Sequence, residues 1–266
     1  MSKPIRHILS LSGGKDSTAL AIYMRERVPE MEYVFCDTDK ELKETYDYLD
    51  RLEGFLGKTI VRLRDERGFD HWLDIYGGYL PSSKMRWCTK VLKIKPFEKY
   101  VGDDDVRMYI GIRADENRGG YVTSKPNIVP VYPFIEDGLT LDDIHRILKD
   151  SSIGFPEYYK WRTRSGCYFC FYQRKNEWVG LKENHPDLFE KSKRYEKINQ
   201  ETGERYTWSE RESLEELERP ERVKEIKEQH LAKVEQASQR TKKPLLEILG
   251  QGDDDDDELP CSFCHT

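Results

Sequence analysis

The sequence predicts an α/β protein built on a parallel sheet, followed by a helical C-terminal region. Short apolar segments typical of buried strands alternate with amphipathic segments in the first part of the chain, which is the pattern of repeated strand and helix units. Polar loops follow the first two predicted strands, where ligands bind in sheets of this kind. With 266 residues, 37% of them hydrophobic, the chain can form one large domain with a helical appendage.

The predicted elements follow in chain order. A strand at 6–11 leads through a loop at 12–17 into a helix, and a second strand at 33–36 ends at Asp37-Thr38-Asp39. Leucines at helical spacing predict a helix from Leu42 to Leu56. Strands three and four are predicted at 59–63 and 106–112, with an irregular stretch from Phe69 to Lys95 between them.

The rest of the chain is predicted to be mainly helical. A short helix at 141–149 is opened by Thr140 as its cap. Residues 176–249 are charged and helical, with interruptions near Gly203 and Pro220. The predicted domains are therefore an α/β domain at 1–165, a helical region with a Cys-x-x-Cys segment at 166–250, and a flexible acidic tail at 251–266.

Charge and hydropathy narrow the class of protein. The net charge is −6, but Asp253–Glu258 is one acidic run, and outside it acidic and basic residues are equal in number. A strongly basic nucleic-acid scaffold is excluded, whereas local basic surfaces are not. The sequence has no apolar run of about 18 residues and no signal-peptide pattern, so we expect a cytoplasmic protein without a membrane span.

The loop Ser12-Gly13-Gly14-Lys15-Asp16-Ser17 is the first group of residues that could carry chemistry. Its two glycines allow a tight backbone turn, and the following helix N-terminus offers N–H groups to an anion. Lys15 and two hydroxyls add further phosphate ligands. The spacing is not that of a Walker A loop. The alternative is a simple glycine turn with a capping serine, but the full set of residues favours a pyrophosphate cradle.

Four segments carry a resemblance to a known family. Ser12–Ser17 resembles the PP-loop of ATP pyrophosphatases, a family that includes sulfonucleotide reductases and tRNA thiolation enzymes. Three more segments, in family order, resemble the sulfonucleotide-reductase branch: Phe35–Asp39 with Glu44–Tyr46, Arg86–Pro96 with its Cys-Thr-x-x-Leu-Lys core, and Gly111–Glu116 with Arg118. The resemblance covers about residues 6–175. It implies a Rossmann-like sheet of the adenine nucleotide alpha hydrolase type.

The resemblance also implies roles for individual residues. Ser12–Ser17 would hold the phosphates of ATP, and Lys15 would neutralise charge at the α-phosphate. Asp16 is a candidate ligand of Mg²⁺, and Arg113 would bind the leaving pyrophosphate or an acceptor phosphate. The other implied nucleotide-binding residues are Asp37, Thr38, Gly111 and Arg118. For each single Asp or Arg, a surface salt bridge is the alternative.

Six cysteines form the second group of candidate residues. Two Cys-x-x-Cys pairs, 167/170 and 261/264, have metal, cluster or redox spacing in a reducing cytosol. The resemblance implies that Cys88, Cys167 and Cys170 hold a 4Fe-4S cluster, with Cys264 or Cys261 as the fourth ligand. Zinc and reduced thiols remain alternatives. Cys36 is predicted to be a core residue of the second strand.

The tail Cys261-Ser262-Phe263-Cys264-His265 resembles the terminal Cys and His of sulfonucleotide reductases, although their Glu-Cys-Gly-x-His motif is absent. Cys261 and Cys264 are therefore candidate catalytic thiols on a tether, and a chance pair or terminal metal clip is the alternative.

The combined resemblance implies an ATP pyrophosphatase and sulfurtransferase. It is strongest to the DNA phosphorothioation enzymes of the Dnd and Ssp systems. The implied acceptor is a DNA backbone phosphate, and the implied partners are a cysteine desulfurase as sulfur donor and other proteins of the modification system. The alternatives are a phosphoadenylyl-sulfate or adenylyl-sulfate reductase and a non-catalytic ATP-binding subunit.

Overall fold

A five-stranded parallel sheet forms the centre of the N-terminal part of the chain. The computed structural model describes residues 4–117, 125–198, 205–209 and 212–240. The strands are β1 (Arg6–Leu11), β2 (Glu32–Asp37), β3 (Ile60–Arg64), β4 (Val106–Tyr109) and β5 (Ile128–Val131). Their order is β3-β2-β1-β4-β5, and every neighbouring pair is parallel. The predicted α/β fold with a Rossmann-like parallel sheet is confirmed.

The strand order places a topological switch point between β1 and β4. The chain winds from β1 to β2 and β3 on one side, then returns to add β4 and β5 on the other side. Ile8 and Leu9 of β1 are completely buried, as expected for a central strand covered on both faces. The crevice at the carboxyl ends of β1 and β4 is where such sheets bind ligands.

Helices connect the strands as the amphipathic pattern predicts. Those of the N-terminal part are α1 (Lys15–Met24), α2 (Lys43–Leu56), α3 (Gly68–Ile75), α4 (Trp87–Thr89), α5 (Lys95–Val101), α6 (Pro133–Glu136) and α7 (Leu141–Asp150). Leu49 and Leu52 lie on the buried face of α2. At the start of α7 the Asp143 carboxylate accepts hydrogen bonds from the backbone N–H and the hydroxyl of Thr140, which caps the helix as predicted.

Three details differ from the sequence-based predictions. Strand β4 ends at Tyr109 rather than at Ile112, because the chain turns where the Ile112 N–H bonds the Ile110 carbonyl. The stretch from Phe69 to Lys95 is not irregular throughout, since it contains α3, α4 and a π-helical turn at Lys90–Ile94. Strand β5 was not predicted, because Pro130 lies within it and proline argues against a strand. Since β5 is at the edge of the sheet, the proline is tolerated there.

The described chain forms two compact units, with Cys170 ending the first and Phe171 beginning the second. The predicted boundary lies after residue 165, whereas the structure places the Cys-x-x-Cys turn at 166–170 in the first unit. There the Tyr168 N–H donates a hydrogen bond to the Lys40 carbonyl. The second unit contains α8 (Lys175–Asn184), α9 (Pro186–Lys193), the antiparallel pair β6 (Lys197–Ile198) and β7 (Arg205–Tyr206), α10 (Leu214–Leu217) and α11 (Pro220–Arg240). The strand pair was not predicted, because two-residue strands give almost no periodic signal.

No helix in the described part of the chain is both long enough and apolar enough to cross a membrane.

Candidate functional site

The loop between β1 and α1 is folded so tightly that side chains are excluded at two positions. Gly13 has a φ of 73°, and a Cβ there would lie 2.6 Å from the Thr45 side chain. A Cβ on Gly14 would lie 2.7 Å from the Ser165 hydroxyl. Glycine adopts positive φ without the steric cost of a side chain. The loop backbone therefore turns directly against its neighbours and leaves its polar groups at the carboxyl end of β1.

Three serine hydroxyls form a connected network inside this loop. The Ser12 hydroxyl lies 3.0 Å from that of Ser17 and accepts a hydrogen bond from that of Ser165 at 3.1 Å. The Ser12 N–H donates to the Ser17 hydroxyl, also at 3.1 Å. All three serines are buried. Such a network fixes the loop before any ligand binds, which lowers the entropic cost of binding.

Two cations converge on one buried carboxylate at the start of α1. Asp16 is 5% exposed, and its two oxygens lie 2.9 Å from Lys15 Nζ and 2.9 Å from Arg113 Nη1. Arg113 also contacts Asp115 at 2.9 Å and Glu116 at 2.7 Å. Burial lowers the pKa of Arg113, but the attraction of Asp16 and the other carboxylates outweighs it and raises the pKa overall. The Arg113 guanidinium is thus charged, and Asp16 holds both basic side chains in place beside the loop.

The end of β4 approaches the loop as closely as backbone atoms allow. A Cβ on Gly111 would lie 3.1 Å from the carbonyl carbon and oxygen of Asp16. Gly111 therefore lets the segment after β4 pack against α1 and brings Arg113 within reach of Asp16. The predicted residues at 12–17, Gly111 and Arg113 form one site, and it lies at the switch point of the sheet.

Two adjacent tyrosines, Tyr158 and Tyr159, contact the loop through their hydroxyl groups. The Tyr158 hydroxyl donates to the Gly13 carbonyl at 2.8 Å, and the Tyr159 hydroxyl accepts from the Lys15 N–H at 3.1 Å. Burial raises the pKa of both phenols, so both stay protonated at neutral pH. Ser165 was missed altogether, because no sequence pattern links it to a loop so distant in the chain.

The loop after β2 presents a second group of polar side chains. The Asp37 carboxylate accepts hydrogen bonds from the Tyr46 hydroxyl at 2.7 Å and from the Asp39 N–H at 2.8 Å. Thr38 is buried, and its hydroxyl donates to the Glu41 carboxylate at 3.0 Å. Because β2 is the neighbour of β1, Asp37 and Thr38 border the same edge of the sheet as the loop at 12–17.

The Cys167 thiol lies against this second group. Its sulfur is 3.1 Å from the Thr38 hydroxyl and 3.7 Å from the Glu41 carboxylate. Burial, reinforced by the negative charge of Glu41, raises the pKa of Cys167. Burial also raises the pKa of Glu41 itself, and one of its carboxylate oxygens is buried without a hydrogen-bond partner. The Arg162 side chain is 1% exposed and donates to the Gly166 and Cys167 carbonyls at 3.0 and 2.9 Å.

The cysteines were predicted to hold a cluster or zinc. Cys36, Cys88, Cys167 and Cys170 form no disulfide. Among the residues that the structure describes, no three His, Cys, Asp or Glu side chains are grouped so that they could hold a metal ion. The described cysteines therefore do not by themselves build a cluster site, and the cluster and zinc remain predictions. Cys36 is a buried strand residue as predicted, and burial raises its pKa to about 12.

Mg²⁺ that binds together with a nucleotide requires fewer protein ligands than a cluster or zinc. It needs one or two carboxylates, because phosphate oxygens and water complete its octahedral shell. Asp16 and Glu116, which share the Arg113 guanidinium, provide such carboxylates, so the donor set fits this ion.

Three predicted site residues, Arg118, Cys261 and Cys264, lie outside the described residues, as does the whole predicted tail.

The fold and the loop together define the class of the protein, an α/β domain with a glycine-rich loop at the switch point of its parallel sheet. Residues 6–170 match the model of the phosphoadenosine phosphosulfate reductase domain. The chain belongs to this family.

Individual relatives are distant. An uncharacterised protein of Methanocaldococcus jannaschii is 26% identical over 79% of this chain and 44% of its own length. The adenosine 5'-phosphosulfate reductase of Staphylococcus haemolyticus is 29% identical over 41% of this chain and 45% of its own. The chain thus spans less than half the length of the archaeal relative. Among solved structures, the phosphoadenylyl-sulfate reductase of Candida auris has a TM-score of 0.49 at 14% identity, covering 62% of this chain and 82% of that one.

Proposed function

We propose that this protein is an ATP pyrophosphatase that adenylates an acceptor, a DNA backbone phosphate, for sulfur insertion in phosphorothioate modification. The observation that carries the proposal is the convergence of Lys15 and Arg113 on buried Asp16, beside a loop that excludes side chains. Two cations at the start of a helix suit a polyphosphate. The intact loop favours ATP over a sulfonucleotide, because its extended polar surface matches a β,γ-pyrophosphate.

The charged residues at the loop have separate roles in this reaction. An acceptor oxygen attacks the α-phosphorus of ATP, and the bond from this phosphorus to the bridging oxygen of pyrophosphate breaks. Lys15 and Arg113 exchange part of their contact with Asp16 for the phosphate oxygens and neutralise the charge that develops there. Asp16 and Glu116 would hold Mg²⁺, which supplies further charge neutralisation on the leaving pyrophosphate.

Sulfur transfer requires a second nucleophile. The terminal sulfur of a cysteine persulfide, supplied by a cysteine desulfurase, attacks the adenylated phosphorus and expels AMP. A second thiol then cleaves the sulfur–sulfur bond, which leaves one sulfur on the acceptor and a disulfide that a cellular thiol reduces. Cys167 lies in the same unit as the nucleotide loop, and Cys261 and Cys264 are the other candidates for these thiols. Other proteins of the modification system would deliver the DNA.

The test is pyrophosphate release from ATP in the presence of acceptor DNA. Lys15→Ala and Asp16→Ala should each lower the rate by about 10²- to 10³-fold, because each disturbs a charge contact made in the transition state. Lys149→Ala removes an exposed lysine at the end of α7 and is the matched control, with an unchanged rate expected. Unaltered pyrophosphate release in both loop variants would contradict the proposal.

A sulfonucleotide reductase is the second candidate, because an adenosine 5'-phosphosulfate reductase is among the relatives. In this reaction two thiols supply the two electrons that convert adenylyl sulfate to sulfite and AMP, the thiols become a disulfide, and no ATP is consumed. Sulfite release from adenylyl sulfate without pyrophosphate formation from ATP would therefore favour the reductase. ATP binding without either product would instead indicate a non-catalytic subunit.

A further inference from the structure

Residues 75–95 form a segment of unusual charge. Its five charged residues are all cations, Lys84, Arg86, Lys90, Lys93 and Lys95. Three of them, Lys84, Lys90 and Lys95, are exposed. The neighbouring α3 carries two carboxylates: Asp70, which is paired with Lys40 at 2.8 Å, and the exposed Asp74. The five cations of the segment outnumber them. A surface with this charge attracts polyanions even though the whole chain is acidic.

The same segment exposes large apolar and aromatic side chains. Ile75, Tyr79 and Met85 are 63%, 48% and 45% exposed. The segment is held together locally, since the Trp87 indole N–H donates to the Tyr79 carbonyl at 3.0 Å and the Tyr76 ring stacks on Trp87 at 5.1 Å. The half-buried Tyr76 ring is held by its stacking on the buried Trp87, and the Tyr79 ring is exposed beside it, so both can stack against nucleobases.

Cations and rings occur together in this surface. The Lys95 ammonium lies 5.5 Å from the centre of the Trp72 ring, and Trp72 in turn lies 6.5 Å from Tyr76. A cation beside an aromatic face is the combination that holds a single nucleic-acid strand, because the cation meets the phosphate while the ring meets the base. A purely apolar partner would have to bury the exposed ammonium groups of Lys90 and Lys95, at a large desolvation cost.

A continuous row of rings joins this surface to the Cys-x-x-Cys turn. The Phe69 ring packs between Trp87, at 5.1 Å, and Phe169, at 4.5 Å. Phe169 lies between Cys167 and Cys170 in the sequence. A second link is the hydrogen bond from the Cys36 thiol to the Lys93 carbonyl at 3.6 Å. The surface therefore lies next to the Cys167 thiol and the Thr38 and Glu41 side chains that contact it, a group called the thiol pocket below.

We propose that Tyr76, Tyr79 and Met85, together with the basic residues between Lys84 and Lys95, bind a single-stranded segment of the nucleic-acid acceptor. This surface is called the strand platform below. It stacks unpaired bases on the rings and pairs the lysines with the backbone phosphates, so that the acceptor strand reaches the thiol pocket. The inference rests on the proposed function for the identity of the acceptor, whereas binding itself needs no ATP.

The test measures binding of the full chain, without nucleotide, to labelled single strands of about 16 nucleotides by fluorescence anisotropy. Tyr79→Ala should weaken binding about tenfold, while Tyr79→Phe, which keeps the ring, should bind like the parent. Lys90→Gln should reduce the steepness of the plot of log affinity against log salt concentration by about one, because one phosphate contact is lost. Val129→Ala and Lys149→Gln, at an exposed apolar and an exposed basic position elsewhere, should change neither quantity.

A perfectly paired DNA duplex should bind more weakly than a single DNA strand, and tighter binding of an RNA strand than of a DNA strand would contradict DNA as the acceptor. Equal binding by the parent chain and Tyr79→Ala, or binding of duplex as tight as that of single strands, would overturn the strand platform. Neither result involves pyrophosphate release, so failure of the platform and failure of the proposed ATP chemistry are observed separately.

Discussion

Gly13 and Gly14 set how closely the loop backbone can approach its neighbours. Gly13→Ala would place a methyl group 2.6 Å from the Thr45 side chain at a φ of 73°, so we expect a loss of about 1–3 kcal/mol in the free energy of unfolding. Gly54→Ala is the matched control, because Gly54 lies inside α2 with no atom within 4 Å of its added Cβ. Gly54→Ala should raise the free energy of unfolding by about 0.5–1 kcal/mol. Urea denaturation measures both, and a neutral Gly13→Ala would contradict the tight loop.

Cys167 reactivity depends on the carboxylate beside it. Burial and the charge of Glu41 both raise the pKa of the thiol, and a raised thiol pKa means less thiolate at a given pH. Glu41→Gln removes the charge, so the pKa should fall and alkylation of Cys167 by iodoacetamide at pH 8 should become several-fold faster. Peptide mass spectrometry measures the rate. Cys36, whose pKa responds to burial, Lys93 and Asp37, is an internal control, and equal acceleration of both thiols would contradict a local effect.

The second unit contains an acid-sensitive junction between α10 and β7. Glu216 accepts hydrogen bonds from the Ser213 N–H at 2.8 Å and from the Arg205 guanidinium at 2.7 Å. The Arg205 bond, followed by the Ser213 N–H, lowers the pKa of Glu216 from 4.5 to about 2. A depressed carboxyl pKa stabilises the folded state above the unfolded pKa, and this contribution disappears as the pH falls through the folded pKa.

Glu216→Gln should therefore lower the melting temperature of the second unit at pH 7, and the difference from the parent should shrink between pH 4.5 and about 2. Thermal melts followed by circular dichroism at a series of pH values measure this difference in melting temperature, called the gap below. Glu215→Gln, in the same turn but exposed, should have a much smaller effect. A gap that stays constant down to pH 2 would show that the ion pair is not its cause.

The main elements of the first unit could be predicted from sequence because burial repeats with a regular period there. The buried run in β1 and the spaced leucines of α2 gave both elements within a residue or two. Strand β5 and the short helices after residue 68 were lost because Pro130 and single turns leave no such period. Local patterns report local burial, whereas edge strands and short turns depend on tertiary contacts.

The candidate site, like the fold, could be predicted only in part. The loop at 12–17, Gly111 and Arg113 could be predicted because their motifs are contiguous in the sequence. Ser165, Tyr158 and the pairing of Cys167 with Thr38 could not, since each contact joins segments more than 120 residues apart. Contacts of that range follow from the way the whole first unit closes around its sheet, and sequence spacing alone does not encode them.

The proposed binding sites all lie in one of the two compact units. The nucleotide loop, the thiol pocket and the strand platform belong to the first unit. A ligand that binds only folded protein stabilises the unit that holds its site. Calorimetry of the full chain should therefore show two transitions, and the one that Glu216→Gln shifts belongs to the second unit.

A non-hydrolysable ATP analogue with Mg²⁺, at about 100 times its Kd, should stabilise the first unit by about 2.7 kcal/mol. For a unit of this size that is a rise of roughly 5–10 °C in its melting temperature, while the second transition stays in place. Lys15→Ala should remove most of the rise, since it takes away one of the two cations held at Asp16. Equal movement of both transitions, or a full rise in Lys15→Ala, would mean that the nucleotide binds elsewhere than at the loop between β1 and α1.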